Sequence, residues 1–562
     1  MKRAISLILA LVLVLALTPC ALADSPAYGS SVWLQDTNLQ NGVVMSDNVF
    51  WSDAYGKPRH EYYITYSPGG SVPERPPAVP ETPAPEPEPA ASEPLDDFDL
   101  YVPEWLQRGA SIVSYSAASG IQPVVYFGSS VCNLTTTEAA ARYYADNGYR
   151  VLGAVNGDFF DMSVGYPLGI MVSGGQLLSG SSEYYAAGFR KDGSVVMGAP
   201  KLTITAKAEN GSSTVIWGLN KPRVDKGGVA LITYNYRTDH KTMTTSAGVN
   251  VLAHVVSGRM SIGEQMVVQV EQVLEESKSY TLTENQVLLT AAANGYADAT
   301  GFLRSLMPGQ TVTVSVSSPD SRWNDVTEAI GALYLLVEDG VAKTGFEVSA
   351  APRTALGVKE NGDLLIYTID GRQNTVSMGA SLGVLAKRMQ ELGCVTALCL
   401  DGGGSTTFVA TTPDKYASRT INSPSDKSLR KVTNHLVLIG PGGMTGQPGA
   451  VNLSAAAPAV LAGHTVKLTA NLADTHYYPM EGGDILYTAS GGTVSGNVFT
   501  APETGGLVTV TAYSPNPDVA ADHVDIQVLD APQYVSVQRN GSTVSSLSLQ
   551  PNETVQLTMA GS

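Results

Sequence analysis

Apolar positions at helical spacing mark residues 381–392, where Leu382, Leu385, Met389 and Leu392 share one face and Gly393 follows as a helix-ending residue. Residues 137–147 carry a helical pattern that ends the same way, at Gly148. After each comes a short apolar run, 150–155 and 395–400, which predicts a buried strand. The runs lead into Asn156-Gly157-Asp158 and Asp401-Gly402-Gly403-Gly404, and the interval from glycine to first polar residue is eight in both, 148 to 156 and 393 to 401. The chain therefore contains one helix–strand unit twice, each delivering polar groups from the end of a buried strand. A third strand, Leu364–Ile369, ends in Asp370-Gly371-Arg372. Any one of these tips alone reads as an ordinary polar turn, whereas three together suggest a site at the ends of strands, where ligands collect in sheets with helical crossovers.

Elsewhere the pattern has period two. Residues 60–66 and 122–127 read as strands, and residues 201–344 alternate β-rich runs with Gly, Asn and Asp turns, predicting an antiparallel sheet. Beyond the glycine-rich stretch 440–449 the strands become short and evenly spaced, as in an Ig-like β-sandwich. After Pro532 the pattern begins again, and thirty residues are too few for a second sandwich. The expected architecture is an α/β (α+β) principal domain with a mixed sheet over residues 24–445, an all-β Ig-like sandwich over 446–532 and the start of an incomplete second repeat over 533–562.

Composition changes this picture in three places. Between Pro73 and Pro94 prolines and glutamates dominate, so residues 68–100 are expected to be an extended, solvated insertion within the principal domain, with an interdomain linker as the alternative. Lys2 and Arg3 precede an apolar run over 4–17 and a small-x-small site at Ala21-Leu22-Ala23, the form of a cleaved signal peptide at 1–23. No later segment is long and apolar enough to span a membrane, so the chain is expected to be secreted or held at the cell surface. Cleavage there leaves Cys132, Cys394 and Cys399, an odd set that predicts buried thiols and no disulfide framework. Finally, 34 Lys+Arg against 51 Asp+Glu give a net charge of −17, which argues against a broad cationic groove for nucleic acid.

The three glycines Gly402, Gly403 and Gly404, followed by Ser405 and Thr406, leave backbone N–H groups open to an anion. No lysine follows as in a P-loop, and Asp401 stands where a dinucleotide pyrophosphate would be repelled. Ser405 lacks the flanking pattern of a nucleophile elbow, and the seven His include no metal-binding pair. Neither a metal nor an organic cofactor is expected.

Five segments in order resemble the phosphodiester glycosidase family: Val155-Asn-Gly-Asp-Phe-Phe160, Pro352-Arg-Thr-Ala-Leu-Gly357, Tyr367-Thr-Ile-Asp-Gly-Arg372, Leu398-Cys-Leu-Asp-Gly-Gly-Gly-Ser405, and Asn422-Ser-Pro-Ser425 with Arg430. The resemblance covers roughly residues 40–440 and implies an exported α/β hydrolase that cuts a sugar-1-phosphodiester without cofactor. The Pro/Glu insertion and the β-rich middle depart from it, so sugar and aglycone preferences do not carry over. Such chemistry needs a carboxylate near the anomeric carbon and donors around the phosphate. Asp401 is the expected carboxylate, and Asp158 and Asp370 compete for the acid/base role. Arg353 is the expected bidentate clamp, with Thr354, Gly402, Gly403, Gly404, Ser405, Arg372, Asn422 and Arg430 lining the phosphate and substrate side and Asn156 holding a sugar hydroxyl. The tail is expected to reach a cell-wall or surface polymer. A non-catalytic glycan-binding protein and a phosphodiesterase cutting P–O are the rival readings.

Overall fold

The computed structural model of the chain describes residues 28–52, 55–68, 120–180, 184–530, 535–539, 542–544 and 558–561. The leader at 1–23 and nearly all of the Pro/Glu stretch lie outside these residues. Strands take up 49% of the described residues and helices 9%, so the expected α/β balance is corrected toward β. Residues 171–342 alone contribute fourteen strands and one α-helix, Ala297–Ser305. The described residues fall into two compact units, one drawn from 38–45 and 59–444 and the other from 28–37, 46–58 and 445–561.

In the larger unit the two helix–strand units form as their patterns predict. Helix Thr137–Asp146 is capped by the Thr136 hydroxyl, which accepts from Ala139 N at 3.2 Å, and strand Arg150–Asn156 follows. Helix Leu382–Glu391 is capped by Ser381, buries Leu382, Leu385 and Met389, and precedes strand Cys394–Cys399. Gly148 and Gly393 have φ of +89° and +85°, a conformation that costs glycine nothing and lets each chain turn from helix to strand. The strands nevertheless enter different sheets. Six neighbouring strands of one eight-stranded sheet run in the order Lys57–Tyr66, Leu364–Ile369, Arg353–Lys359, Cys394–Cys399, Tyr334–Glu338, Val341–Ala342. The other runs Arg419–Thr420, Phe408–Ala410, Arg150–Asn156, His435–Gly440, Gln122–Tyr126. The pairs within both are antiparallel, so the crossover geometry that inspired the strand-end expectation is absent.

Residues 203–317 close into a seven-stranded barrel where an antiparallel sheet was expected. Strand Thr311–Ser317 shows why its period-two pattern is compatible with either form: Val312, Val314 and Val316 point inward, and only pairing with both Thr203–Ala208 and Gln265–Glu276 closes the ring. A parallel pair, Ser213–Leu219 with Val229–Thr233, interrupts the antiparallel order. Cys394 and Cys399 are buried free thiols pushed up to about 12 by desolvation.

In the smaller unit, sheets ordered Pro448–Ala455, Thr465–Asp474, Val498–Thr500, Thr493–Ser495 and Ala459–Leu461, Asp522–Leu529, Gly506–Tyr513, Leu486–Ala489 share a core that includes Leu468, Phe499, Val510 and Ile526. Strands Ser542–Thr543, Val535–Arg539 and Thr558–Gly561 form a separate small sheet.

Candidate active site

The ends of the two repeated units meet. Asp401 N donates to Gly157 O at 3.0 Å, and Asn156 Nδ2 donates to Asp401 O at 2.7 Å. The other face of the Asn156 amide is also engaged, its Oδ1 accepting from Thr354 Oγ1 at 2.7 Å and from Thr407 N at 3.2 Å. Asn156 and Thr354 are fully buried. They knit the two sheets together, and the amide expected to hold a sugar hydroxyl is engaged by protein groups at both its nitrogen and its oxygen.

Three carboxyls were expected here, and their surroundings separate them. Asp370 is buried, with Oδ1 accepting from Asn422 Nδ2 and Oδ2 from Ser423 N, both at 2.8 Å. Asn422 in turn accepts from Phe408 N at 2.8 Å. Asp370 and Asn422 thus pin the 422–423 segment to the strand ends, which leaves both Asp370 oxygens engaged by protein donors.

Asp158 is 1% exposed. Its Oδ2 accepts from Gly169 N at 2.7 Å, and its own N donates to Asn434 Oδ1 at 2.8 Å. A Cβ on Gly331 would stand 2.4 Å from Asp158 Oδ2, and one on Gly169 2.9 Å away, so the carboxyl occupies space that only two glycines leave open. Desolvation raises its pKa from 3.8 to about 7, with the charge of Asp401 adding to the rise and the Gly169 N–H and Lys221 opposing it. Asp401 is less enclosed. Burial raises its pKa as well, but the Ser405 hydroxyl, the Gly402 N–H at 2.8 Å and the Arg430 charge favour its anion. The two carboxyls lie within electrostatic reach, both raised by burial, and only Asp401 has a hydroxyl and a guanidinium that favour its anion.

The cations divide similarly. Arg353 donates Nε to Ala380 O at 3.1 Å and Nη2 to Ser349 O at 3.0 Å, so the edge expected to clamp a phosphate is tied to backbone carbonyls. Arg372 is exposed, has a left-handed φ of +59°, and makes no hydrogen bond or ion pair among the described residues. Its Nη2 lies 3.2 Å from the position a Cβ would take on Gly403, directly over the glycine turn. Arg430 pairs with Asp426 at 2.6 Å and reaches Ser405 Oγ at 3.4 Å. Two of the three glycine amides are already donated, Gly402 N to Asp401 Oδ1 and Gly403 N to Pro352 O at 2.9 Å, while a Cβ on Gly404 would collide with the Asp426–Arg430 pair.

Gly331, Gly169, Asn434, Lys221 and Asp426 all shape the site without having been singled out in the sequence. Only Asn434 carried a signal: Thr433-Asn434-His435 is a polar triplet heading the apolar run 436–439, and all three are fully buried. Among the described residues no group of three His, Cys, Asp or Glu side chains is arranged to hold a metal ion.

Residues 262–439 match the phosphodiester glycosidase family model, a span that contains four of the five recognised segments and omits Val155-Asn-Gly-Asp-Phe-Phe160. No curated protein matches the chain. Among solved structures it is similar to a hypothetical protein from Synechocystis, with TM-score 0.52 and 20% identity over 75% of this chain and 65% of that one. The chain thus spans just under two thirds of that protein's length. It is also similar to a protein from Burkholderia pseudomallei named as exported, with TM-score 0.52 and 16% identity over 75% of this chain and 100% of that one. A zebrafish N-acetylglucosamine-1-phosphodiester alpha-N-acetylglucosaminidase catalytic domain, auto-inhibited by its pro-peptide, aligns with TM-score 0.32 and 15% identity over 72% of this chain and 87% of that one. At these identities the first two likenesses are likenesses of fold.

Proposed function

We propose that this chain, whose residues 262–439 match the phosphodiester glycosidase family, is an exported hydrolase that cleaves the anomeric C–O bond of a sugar-1-phosphodiester in a glycan or surface polymer. The observation that carries the reading is the junction of the two repeated units. Asp158 and Asp401 follow strands of different sheets, are tied through Gly157 O and Asn156, and are both raised by burial, with a hydroxyl, an amide and a guanidinium partly offsetting the rise at Asp401.

In this reading Asp401 faces the anomeric carbon and stabilises the positive charge that develops there. Asp158, neutral up to about pH 7, is the proton donor. Arg372 and Arg430 flank the Gly403 turn and take the charge of the departing phosphate, a task suited to guanidinium forks. Arg353 contributes by holding the 349–353 backbone. Because a phosphate monoester is a weak base, Asp158 assists departure without being indispensable. Residues 24–445 form the catalytic part. An Ig-like module at 446–532, followed by the start of a second at 533–562, serves placement on a wall polymer. Export rests on the 1–23 pattern, and the exported Burkholderia protein of similar fold accords with it.

Hydrolysis of a sugar-1-phosphodiester in ¹⁸O-labelled water tests the reading. Label on the released sugar C1 is the expected result. Label on phosphate means P–O cleavage, and binding without turnover means a glycan-binding protein; either overturns the glycosidase assignment.

A further inference from the structure

Three aromatic rings form a row beside the segments that carry the two carboxyls. Phe159 directly follows Asp158 in the chain. Tyr334 stands opposite Cys399 in the sheet, two residues before Asp401, and Leu333 N donates to Cys399 O at 3.2 Å. The Phe159 and Tyr334 centroids are 6.1 Å apart with planes at 83°, and Tyr334 and Phe346 follow at 6.3 Å and 86°. All three residues are half-buried, and edge-to-face packing fixes the rings against one another. The Tyr334 hydroxyl has no hydrogen-bond partner among the described residues.

Phe346 sits on the loop 343–350, which is exposed at nearly every residue, with Val348 92% exposed. The loop is tethered at its ends. Lys343 N donates to Leu336 O at 2.8 Å and Lys343 pairs with Glu338, while Arg353 Nη2 holds Ser349 O at 3.0 Å. Among the described residues, residues 344–348 make no hydrogen bond or ion pair, and Phe346 meets Tyr334 through its ring alone. An exposed loop that lays one aromatic ring onto an aromatic row is placed for a ligand with an apolar ring face.

The two sides of Asp401 differ in kind. The cation acting on Asp401 is Arg430, next to the Gly403 turn, whereas Asp158 feels Lys221, whose Nζ is bound to Leu168 O at 2.5 Å. Phosphate charge belongs on the Arg372–Arg430 side, which leaves the aromatic side for the sugar. We infer that Phe159, Tyr334 and Phe346 form an extended saccharide subsite, so that the preferred glycone is two or more sugar units long. A pyranose is about as large as one of these rings, and the two centroid steps reach beyond a single sugar. The inference rests on the functional reading above.

The test compares the 1-(methyl phosphate) diesters of mono- and disaccharides of glucose and N-acetylglucosamine. Wild type is expected to favour the disaccharide in kcat/KM by about tenfold, the usual scale for one apolar contact. Phe346→Ala is expected to bring that ratio close to one, and Phe346→Tyr to restore most of it. A wild-type ratio near one, or a ratio that survives Phe346→Ala, overturns the subsite. Calorimetric titration with the free disaccharides separates this result from the reaction itself. If no diester is turned over, the functional reading fails, while weaker disaccharide binding by Phe346→Ala still supports the subsite and equal binding overturns it.

Discussion

The two helix–strand units of this chain have nearly the same local design and leave their carboxyls in different surroundings. Each has a hydroxyl-capped helix, a positive-φ glycine and a short buried strand that ends in a carboxyl. Asp158 is lodged where Gly169 and Gly331 leave just enough room, and its pKa rises to about 7. Asp401 has a hydroxyl, an amide and a guanidinium nearby to support its anion. The lesson is that a repeated motif delivers the groups, while neighbours contributed by distant segments give each its own surroundings.

The sharpest way to break this comparison is Asp401→Asn. It keeps shape and can still accept from Gly402 N, but it removes the charge, so kcat should fall about a thousandfold or more with little change in Tm. Near-normal kcat would take Asp401 out of the mechanism. Asp158→Asn should cost about a hundredfold, toward the lower end for general-acid help because phosphate leaves readily. The pH profile is the sharper readout. With Asp158 active as the acid, wild-type activity should decline as pH rises through about 7, and the variant should lose that limb. Stability carries the same signature. The folded pKa lies above the unfolded value, so the Asp158 contribution is fully present below pH 3.8 and is lost as pH rises to about 7; denaturant midpoints for the variant should lack that decline. A pH profile that is identical in wild type and variant would mean that the two carboxyls do not divide the work.

The cations extend the comparison. Arg372→Lys should lose about 2 kcal/mol of transition-state stabilisation on a phosphodiester and almost nothing on an aryl glycoside without phosphate. Arg353→Lys should lose less, and equally on both substrates, since its Nε and Nη2 serve Ala380 O and Ser349 O. The reverse order would return the clamp to Arg353. The smallest effect should come from Asn156→Ala, which deletes the amide joining the units and should lower stability by about 1 to 2 kcal/mol, read as a shift of the urea midpoint. An unshifted midpoint would leave the two units joined by other contacts.

Local physics put a good deal of this protein within reach of its sequence. The spacing of Leu382, Leu385 and Met389, the caps and the glycines at 148 and 393 are near-neighbour effects, and they fixed helices, strands and the delivery of Asp158, Asp370 and Asp401 to strand ends. Tertiary structure decided everything that depends on distant pairing. Period-two alternation is the same for an open sheet and a barrel, and only the partners of Thr311–Ser317 close the ring at 203–317. A carboxyl in a sequence carries no sign of its surroundings, so the burial of Asp158 by glycines 11 and 173 residues away, the retirement of Asp370 into a hydrogen-bonded staple and the binding of Arg353 to carbonyls emerge only when separate segments meet. Hydrogen bonds and desolvation act over a few ångströms of space, whatever the separation along the chain.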